Sequence, residues 1–362
     1  MKYWLLTLLL MGSVVQAVDK GFTINGSIEA GFSEYLASEN ATRGWGKVSD
    51  FTAGIDDLNV RATWAVTDKT KVVLSENFAI GAGTNAGLSA FSGQFNSRSY
   101  FSTANVANNG HNFMLSLGDA YLEHRCTDSF YTTIGHFAVP FGMEGLTSRY
   151  DNHSYYYSEA YHYAASMYHW NWDTGLMFAF KETFPGAVEF ALLDGRDNQV
   201  HAGETAPALG LATRLRYKWD LGGWAITPTA SAYMARFRGG PKDLGFTMGF
   251  NAKGGMLWAN MEWVYTSTGV LGADDKAKLW SVYIEPGVDL GLFDFGLKFD
   301  LASLTPAGGD GSSDMSLGAA IGKNYNGGYR IRLAYMHTGF QDKHGAVYRP
   351  ANDIRLLFGT KW

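Results

Sequence analysis

Alternation of apolar and polar residues with a period of two constrains the fold of this chain more than any other feature. In residues 293–301 every second residue is Phe or Leu, and the residues between them are Asp, Gly or Lys. Residues 209–219 and 329–335 alternate in the same way, with Arg on the polar side. Successive side chains of a β-strand point to opposite faces, so each segment predicts a strand with one apolar and one polar face.

The alternation extends along the whole chain and predicts about sixteen strands. The predicted strands cover residues 20–32, 54–67, 70–80, 112–125, 128–138, 168–181, 186–193, 208–219, 223–236, 243–252, 255–267, 278–288, 291–303, 314–323, 328–338 and 351–362. Short connections such as 68–69 and 126–127 alternate with long ones such as 33–53 and 81–111. Short turns at one end and long loops at the other are typical of bacterial outer-membrane barrels. The sequence therefore predicts an all-β, transmembrane, antiparallel β-barrel in the outer membrane of a Gram-negative bacterium.

The start of the chain predicts export. Lys2 precedes an apolar run, and residues 12–17 are mostly small, which is typical of a secretory signal peptide. We expect residues 1–17 to be this signal and residues 18–362 to form the barrel. The apolar run is shorter than the ~20 residues that a membrane-spanning helix needs.

Composition excludes several function classes. The chain has 29 Lys and Arg against 34 Asp and Glu, a net charge of −5, which gives no basic footprint for nucleic acid. The single cysteine, Cys126, excludes a disulfide-stapled secreted scaffold. The sequence contains none of the motifs Gly-x-Ser-x-Gly, His-Glu-x-x-His or the P-loop, so no enzymatic activity is expected. The histidines near residues 136–169 have spacings that fit no compact metal site, so neither a metal nor another cofactor is expected.

The connection after the predicted fifth strand is the main candidate for function. The connection formed by residues 139–167 is far longer than the usual ~4–6 residues, and it is rich in Tyr. So many aromatic side chains are too apolar for a solvated, disordered chain. We therefore expect this third outer loop to fold into the lumen and narrow the pore; the alternative is a Pro-Gly turn that only caps the strand. The expected constriction residues are Pro140, Phe141, Gly142, Glu144, Arg149, Asp151, Tyr157, Glu159 and His162.

Part of this loop also resembles a known family. The run Pro140-Phe141-Gly142-Met143-Glu144, followed by Thr147-Ser148, resembles the segment after the fifth strand in phosphate-selective-type (O/P) outer-membrane porins. The resemblance covers about ten residues and implies a porin fold. It does not imply phosphate selectivity, because the loop offers only Arg149 as a fixed cation beside three carboxylates.

Charged residues on the polar faces are expected to line the lumen. They are Arg61, Asp119, Glu123, Asp173, Arg214, Arg216, Arg330, Arg332 and Arg355. The acidic residues Asp119, Glu123 and Asp173, together with Glu189, fall on the fourth, sixth and seventh strands, and most basic residues fall on later strands. This division predicts opposed acidic and basic walls. The simpler alternative is that a wet barrel interior needs polar residues whatever passes through it.

The last strand predicts the assembly route. Ile354, Leu356, Phe358 and Trp362 share one face, and the chain ends on an aromatic residue. This resembles the terminal signal by which outer-membrane barrels are recognised for assembly, with Phe358 and Trp362 as its aromatic residues.

These observations predict a porin for passive diffusion of small hydrophilic solutes or ions. Expected partners are outer-membrane lipid and lipopolysaccharide, the barrel-assembly machinery, the solutes and, as one assembly, a homotrimer. Two alternatives stay open: a non-conducting barrel that acts as scaffold, adhesin or cytochrome sheath, and an outer-membrane lipid hydrolase.

Overall fold

The computed structural model of this protein describes residues 21–37, 48–83, 111–144, 158, 172–181, 185–194, 209–236, 242–269, 276–305, 311–325, 328–342 and 351–362. The predicted signal peptide, residues 1–17, and most of the predicted constriction loop lie outside these ranges. No helix in the described part of the chain is long and apolar enough to cross a membrane.

The described residues form strands throughout the chain. The strands are β1 (Phe22–Ala37), β2 (Val48–Thr67), β3 (Thr70–Gly83), β4 (His111–Arg125), β5 (Phe130–Ala138), β6 (Trp172–Lys181), β7 (Gly186–Leu193), β8 (Leu209–Tyr217), β9 (Trp219–Leu221), β10 (Trp224–Arg236), β11 (Lys242–Gly254), β12 (Leu257–Gly269), β13 (Lys276–Asp289), β14 (Phe293–Thr305), β15 (Ser312–Tyr325), β16 (Tyr329–Asp342) and β17 (Ala351–Lys361). Strands that follow each other pair antiparallel, except that β8 and β9 lie end to end and both pair with β10. Since β8 and β9 form one span, the sheet has sixteen spans, as the sequence predicts.

The first and last strands close the sheet into a barrel. β1 pairs with β17 from Ser27, opposite Lys361, to Ala37, opposite Ala351. The last residue completes the seam, because the N–H of Trp362 donates to the carbonyl of Gly26 at 3.0 Å and the N–H of Gly26 donates back at 3.1 Å. Closure leaves no unpaired sheet edge, which a lipid environment requires.

The two faces of the wall differ in chemistry. On β14, Phe299 and Leu301 are exposed, whereas Lys298 and Asp300 between them are buried. β16 repeats this pattern, with Leu333 exposed and its neighbour Arg332 only 1% exposed. The outer surface is therefore apolar and the inner face polar, which is the arrangement of a barrel that spans a membrane.

A proline explains why one span is split. Pro228 lies in β10, and the pairs of β10 with β8 and β9 stop between Thr229, opposite Arg216, and Ile226, opposite Trp219. Proline has no N–H to donate to the neighbouring strand, so the ladder is interrupted at that point.

A β-bulge changes the phase of the alternation on β4 near Gly118. The pairing of β3 with β4 shifts between Leu74 and Glu76. The extra residue lets the N–H of Asp119 donate to Ser75 Oγ at 2.7 Å. Beyond the bulge Asp119 faces the lumen, while Glu76 stays on the outer face opposite Val60. A bulge inserts one residue and so exchanges the two faces of a strand.

Candidate functional site

The chain turns into the lumen where β5 ends. The N–H of Phe141 donates to the carbonyl of Val139 at 2.7 Å, which closes a three-residue turn around Pro140. The φ of proline, near −65°, is close to that of an inverse γ-turn, and its missing N–H ends the strand ladder. The predicted end of this strand at residue 138 is confirmed, because β5 ends at Ala138.

Apolar side chains hold the turn against the inner wall. We call them the lumen cluster: Phe137, Val139, Phe141, Ala191, Leu193, Ala212, Tyr233, Ala235 and Val264. The wall residues of this cluster lie on the inward faces of β5, β7, β8, β10 and β12. Phe141 is 8% exposed, and its ring meets the ring of Tyr233 edge-on with centroids 6.0 Å apart. Burial of such a ring stabilises the turn, but it does not fix the direction in which the chain continues after it.

Hydrogen bonds to Gly142 fix the next step of the chain. Its N–H donates to Ser231 Oγ at 2.8 Å, and its carbonyl accepts from Arg214 Nη1 at 3.4 Å. The φ of Gly142 is +73°, a conformation that residues with a side chain rarely adopt. A Cβ at this position would also lie 3.1 Å from Glu262 Oε1. Both the backbone conformation and the tight contact with Glu262 therefore favour glycine at this position.

Glu262, on β12, binds the main chain of the following residues. Its two carboxylate oxygens accept the N–H groups of Met143, at 2.7 Å, and Glu144, at 3.2 Å. Glu262 is 3% exposed. Both bonds are buried, and a hydrogen bond in a protein interior is stronger than one in water.

Glu144 ends this run in a buried ion pair. Its Oε1 accepts a short hydrogen bond from Lys298 Nζ on β14, and its Oε2 accepts the N–H of Ser158 at 2.8 Å. The side chains of Lys298 and Glu144 are 0% and 6% exposed. Lys298 Nζ also lies 4.4 Å from the centre of the Tyr283 ring. Residues 139–144 thus run along the inner wall from β5 to β14, and Ser158 returns to the same point.

We call Glu144, Ser231, Glu262 and Lys298 the loop anchor. Of the predicted constriction residues, the structure places Pro140, Phe141, Gly142 and Glu144 at this anchor or beside it. The other five, Arg149, Asp151, Tyr157, Glu159 and His162, lie outside the described residues.

The predicted pore-lining charges lie on the inner face but are not divided into two walls. Arg214 Nε lies 2.6 Å from Glu189 Oε2 on the neighbouring strand, and Arg330 Nη2 lies 2.8 Å from Asp294 Oδ1. The remaining pairs of this kind are Arg61–Asp119 at 3.0 Å, Lys71–Glu123 at 2.8 Å, Lys181–Glu123 at 3.3 Å, Arg216–Glu189 at 3.5 Å, Arg332–Glu29 at 3.5 Å and Arg355–Asp353 at 2.7 Å. The prediction of opposed acidic and basic walls is therefore wrong, because each base has an acid on its own or a nearby strand. Asp173 is also buried on the inner face, where its Oδ1 accepts the N–H of Thr174.

Sequence reasoning did not single out two of the most important residues. Lys298 gave a weak signal, since it is a lysine on the polar face of a regularly alternating strand. Glu262 gave no signal, because its hydrogen-bond donors are main-chain N–H groups. Every residue except proline has such a group, so the sequence does not mark which ones Glu262 binds.

Comparison with models of known families and with characterised protein sequences gives no match. Solved structures match over nearly the full length. OprB of Pseudomonas putida has a TM-score of 0.64 at 8% identity, covering 98% of this chain and 97% of its own. DcaP, an outer membrane channel of Acinetobacter baumannii, has a TM-score of 0.59 at 10% identity, covering 94% and 97%. The anion-selective porin of Comamonas acidovorans has a TM-score of 0.56 at 10% identity, covering 94% and 100%.

These similarities concern the fold. The predicted outer-membrane location agrees with the fold of the matching structures and with the apolar outer surface. The chain has the fold of outer-membrane porins: a closed, sixteen-span antiparallel barrel.

Proposed function

We propose that the protein is a porin for small hydrophilic solutes and that residues 139–167 form its constriction. The observation that carries the proposal is the loop anchor, which holds the base of this loop against the lumen wall. A loop that only capped β5 would not need a buried carboxylate on β12 and a buried ammonium group on β14. The solved structures of porins and channels with this fold support the same function.

Deleting residues Tyr155 to Tyr163 tests the constriction. The deletion leaves the four anchor residues in place but removes Ser158. Glu144 then keeps its bond to Lys298 and loses the bond from the N–H of Ser158. We expect higher single-channel conductance in planar bilayers and faster entry of larger sugars into liposomes. An equal deletion in another outer loop, residues 195–203, is the control and should leave conductance unchanged.

Two results would contradict the proposal. Unchanged conductance after the first deletion, in a barrel that still resists heat, would place the loop outside the conduction path. No steady current from the intact protein would favour the alternative of a plugged, non-conducting scaffold.

We also propose weak ion selectivity. The described lumen pairs its bases with acids, so no unbroken series of cations lines it as strong phosphate selectivity would require. This is the point at which we separate the protein from the phosphate-selective family that residues 140–148 resemble. Reversal potentials in a salt gradient should be small, and a saturable phosphate site of micromolar affinity would contradict this proposal.

The remaining proposals concern partners. OmpT of Vibrio cholerae, solved in a trimer form, matches with a TM-score of 0.57 at 8% identity, covering 95% of this chain and 100% of its own. This supports a homotrimer here. Phe358 on the outer face of β17 and Trp362 directly after this strand are both exposed, which suits the proposed recognition by the barrel-assembly machinery.

A further inference from the structure

The outer face of β13 carries a charge pattern that the channel function does not explain. Lys276 and Lys278 are exposed at the end of β13 that adjoins the connection 270–275. Their side chains point outward, because the alternating residues Ala277 and Leu279 are buried at 7% and 0% exposure on the inner face. Two lysines therefore project from the lipid-facing side of the wall.

The depth of these lysines follows from the apolar residues below them. On β13 and the turn after it, the outward residues run from Trp280 to Leu290, which are 40% and 60% exposed. Strands rise ~3.4 Å per residue and tilt by ~45°, so these ten steps cover roughly 24 Å of membrane thickness. An apolar band of a membrane barrel is about 25 Å tall. Lys278 and Lys276 thus lie just above the hydrocarbon, at the level of lipid headgroups.

The leaflet is set by the connections. The turn 290–292 at the other end of β13 is short, which marks the periplasmic side of such barrels. The lysines are consequently at the outer leaflet.

Groups around the lysines are suited to a phosphorylated headgroup. Lys278 pairs in register with Thr305 on β14, which places one exposed hydroxyl residue beside it. Two residues further along β13, Trp280 lies opposite Tyr265. The Tyr265 ring stacks on the Trp263 ring, with centroids 6.3 Å apart. Among the described outward residues of β12, β13 and β14 there is no carboxylate.

We propose that Lys276 and Lys278, with Thr305, bind the phosphate of a phosphorylated glycolipid in the outer leaflet, above an aromatic platform that contacts its acyl chains. Lysines at a membrane surface attract anionic lipid, and their stems can lie along apolar surface while the ammonium group reaches the phosphate. The inference rests on the outer-membrane location and is independent of whether the barrel conducts.

A second lipid-facing lysine region provides the matched control. Lys323 also projects outward, on β15, where its Nζ lies 5.3 Å from the Phe293 ring and 5.0 Å from the Tyr325 ring. It lies near the opposite, periplasmic end of the barrel. Lys323→Gln therefore removes one lipid-facing lysine without touching the proposed site.

The experiment measures bound glycolipid by native mass spectrometry. The purified full-length protein is placed in phosphatidylcholine nanodiscs that contain an acylated glucosamine disaccharide diphosphate. We expect K276Q/K278Q to lower the affinity about thirtyfold, since each basic residue near an anionic lipid surface contributes ~1 kcal/mol. K323Q should bind as the wild type does, and the dephosphorylated glycolipid should bind the wild type weakly.

Three outcomes would overturn the proposal: wild-type affinity in K276Q/K278Q, an equal loss in K323Q, or displacement of the glycolipid by millimolar inorganic phosphate, which would indicate a site for free anions. Heat resistance of each variant on gels shows that the barrel has assembled.

Discussion

Lys298→Met should destabilise the barrel far more than Glu144→Gln, although the two residues form one ion pair. In the register of β13 and β14, Ile284 lies opposite Phe299, so Glu285 lies beside Lys298. Glu285 and Asp300 are 3% and 2% exposed on the same inner face. Lys298 therefore compensates three buried carboxylates, whereas Glu144 provides one of three.

The magnitudes follow from this asymmetry. Removing the partner of buried charges costs about 3–5 kcal/mol, and we expect Lys298→Met in this range. Glu144→Gln leaves Lys298 with two acids and loses one charge-assisted bond, so we expect a cost of about 1.5 kcal/mol. The double variant should cost about 1–3 kcal/mol less than the sum of the two single variants, because the residues are in direct contact.

Urea unfolding in lipid vesicles, followed by Trp fluorescence, gives these free energies. Lys253→Met is the control, since Lys253 Nζ lies 3.9 Å from Asp289 Oδ2 and its side chain is 65% exposed. Such an exposed pair contributes about 0–1 kcal/mol. Equal costs for Lys298→Met and Lys253→Met, or strictly additive costs in the double variant, would refute the buried anchor.

Two further substitutions test the wall and the turn. Met248 lies on the outer face of β11 and is 61% exposed, so Met248→Arg should lower the free energy of unfolding by ~2–4 kcal/mol in the same assay. Asn251 is exposed on the inner face of this strand, and Asn251→Arg should lower it much less. Equal losses would show that the outer face does not contact lipid. Gly142→Ala should lower the free energy of unfolding by about 1–2 kcal/mol because of its backbone angle, and further because of the contact with Glu262. Gly222 has a φ of +56°, and a Cβ added there would have no atom within 4 Å, so Gly222→Ala should show the backbone cost alone. A smaller loss for Gly142→Ala than for Gly222→Ala would contradict the close contact.

The strands could be predicted from the sequence because their signal is local. Each span crosses lipid on one side and water on the other, so the alternation is strong within the membrane and each predicted strand has its counterpart. Beyond the apolar band both faces are wet and the alternation fades. This is why β1 continues to Ala37, past the predicted end at residue 32, and β2 begins at Val48, ahead of residue 54.

The site could be predicted only in part. Pro140 and Gly142 have conformational requirements that are visible in sequence, so the position of the turn was predictable. The partners were not, because Glu144 and Lys298 are 154 residues apart and the sequence does not specify which inner-face base meets the loop. The same limit explains the wrong charge walls. Glu189 and Arg214 were assigned to different walls by strand number, yet they lie on adjacent strands.

The lumen cluster and the loop anchor have different roles in holding the loop. Apolar burial of Phe141 stabilises the base of the loop, but it does not fix the position of the chain, since the hydrophobic effect is non-directional. The bonds from the N–H groups of Met143 and Glu144 to Glu262 are directional and fit only one register of the chain. Buried charges contribute little net stability, and they penalise every arrangement that leaves one of them without a partner. We therefore infer that the cluster keeps residues 139–144 against the inner wall and that the anchor sets their position along it.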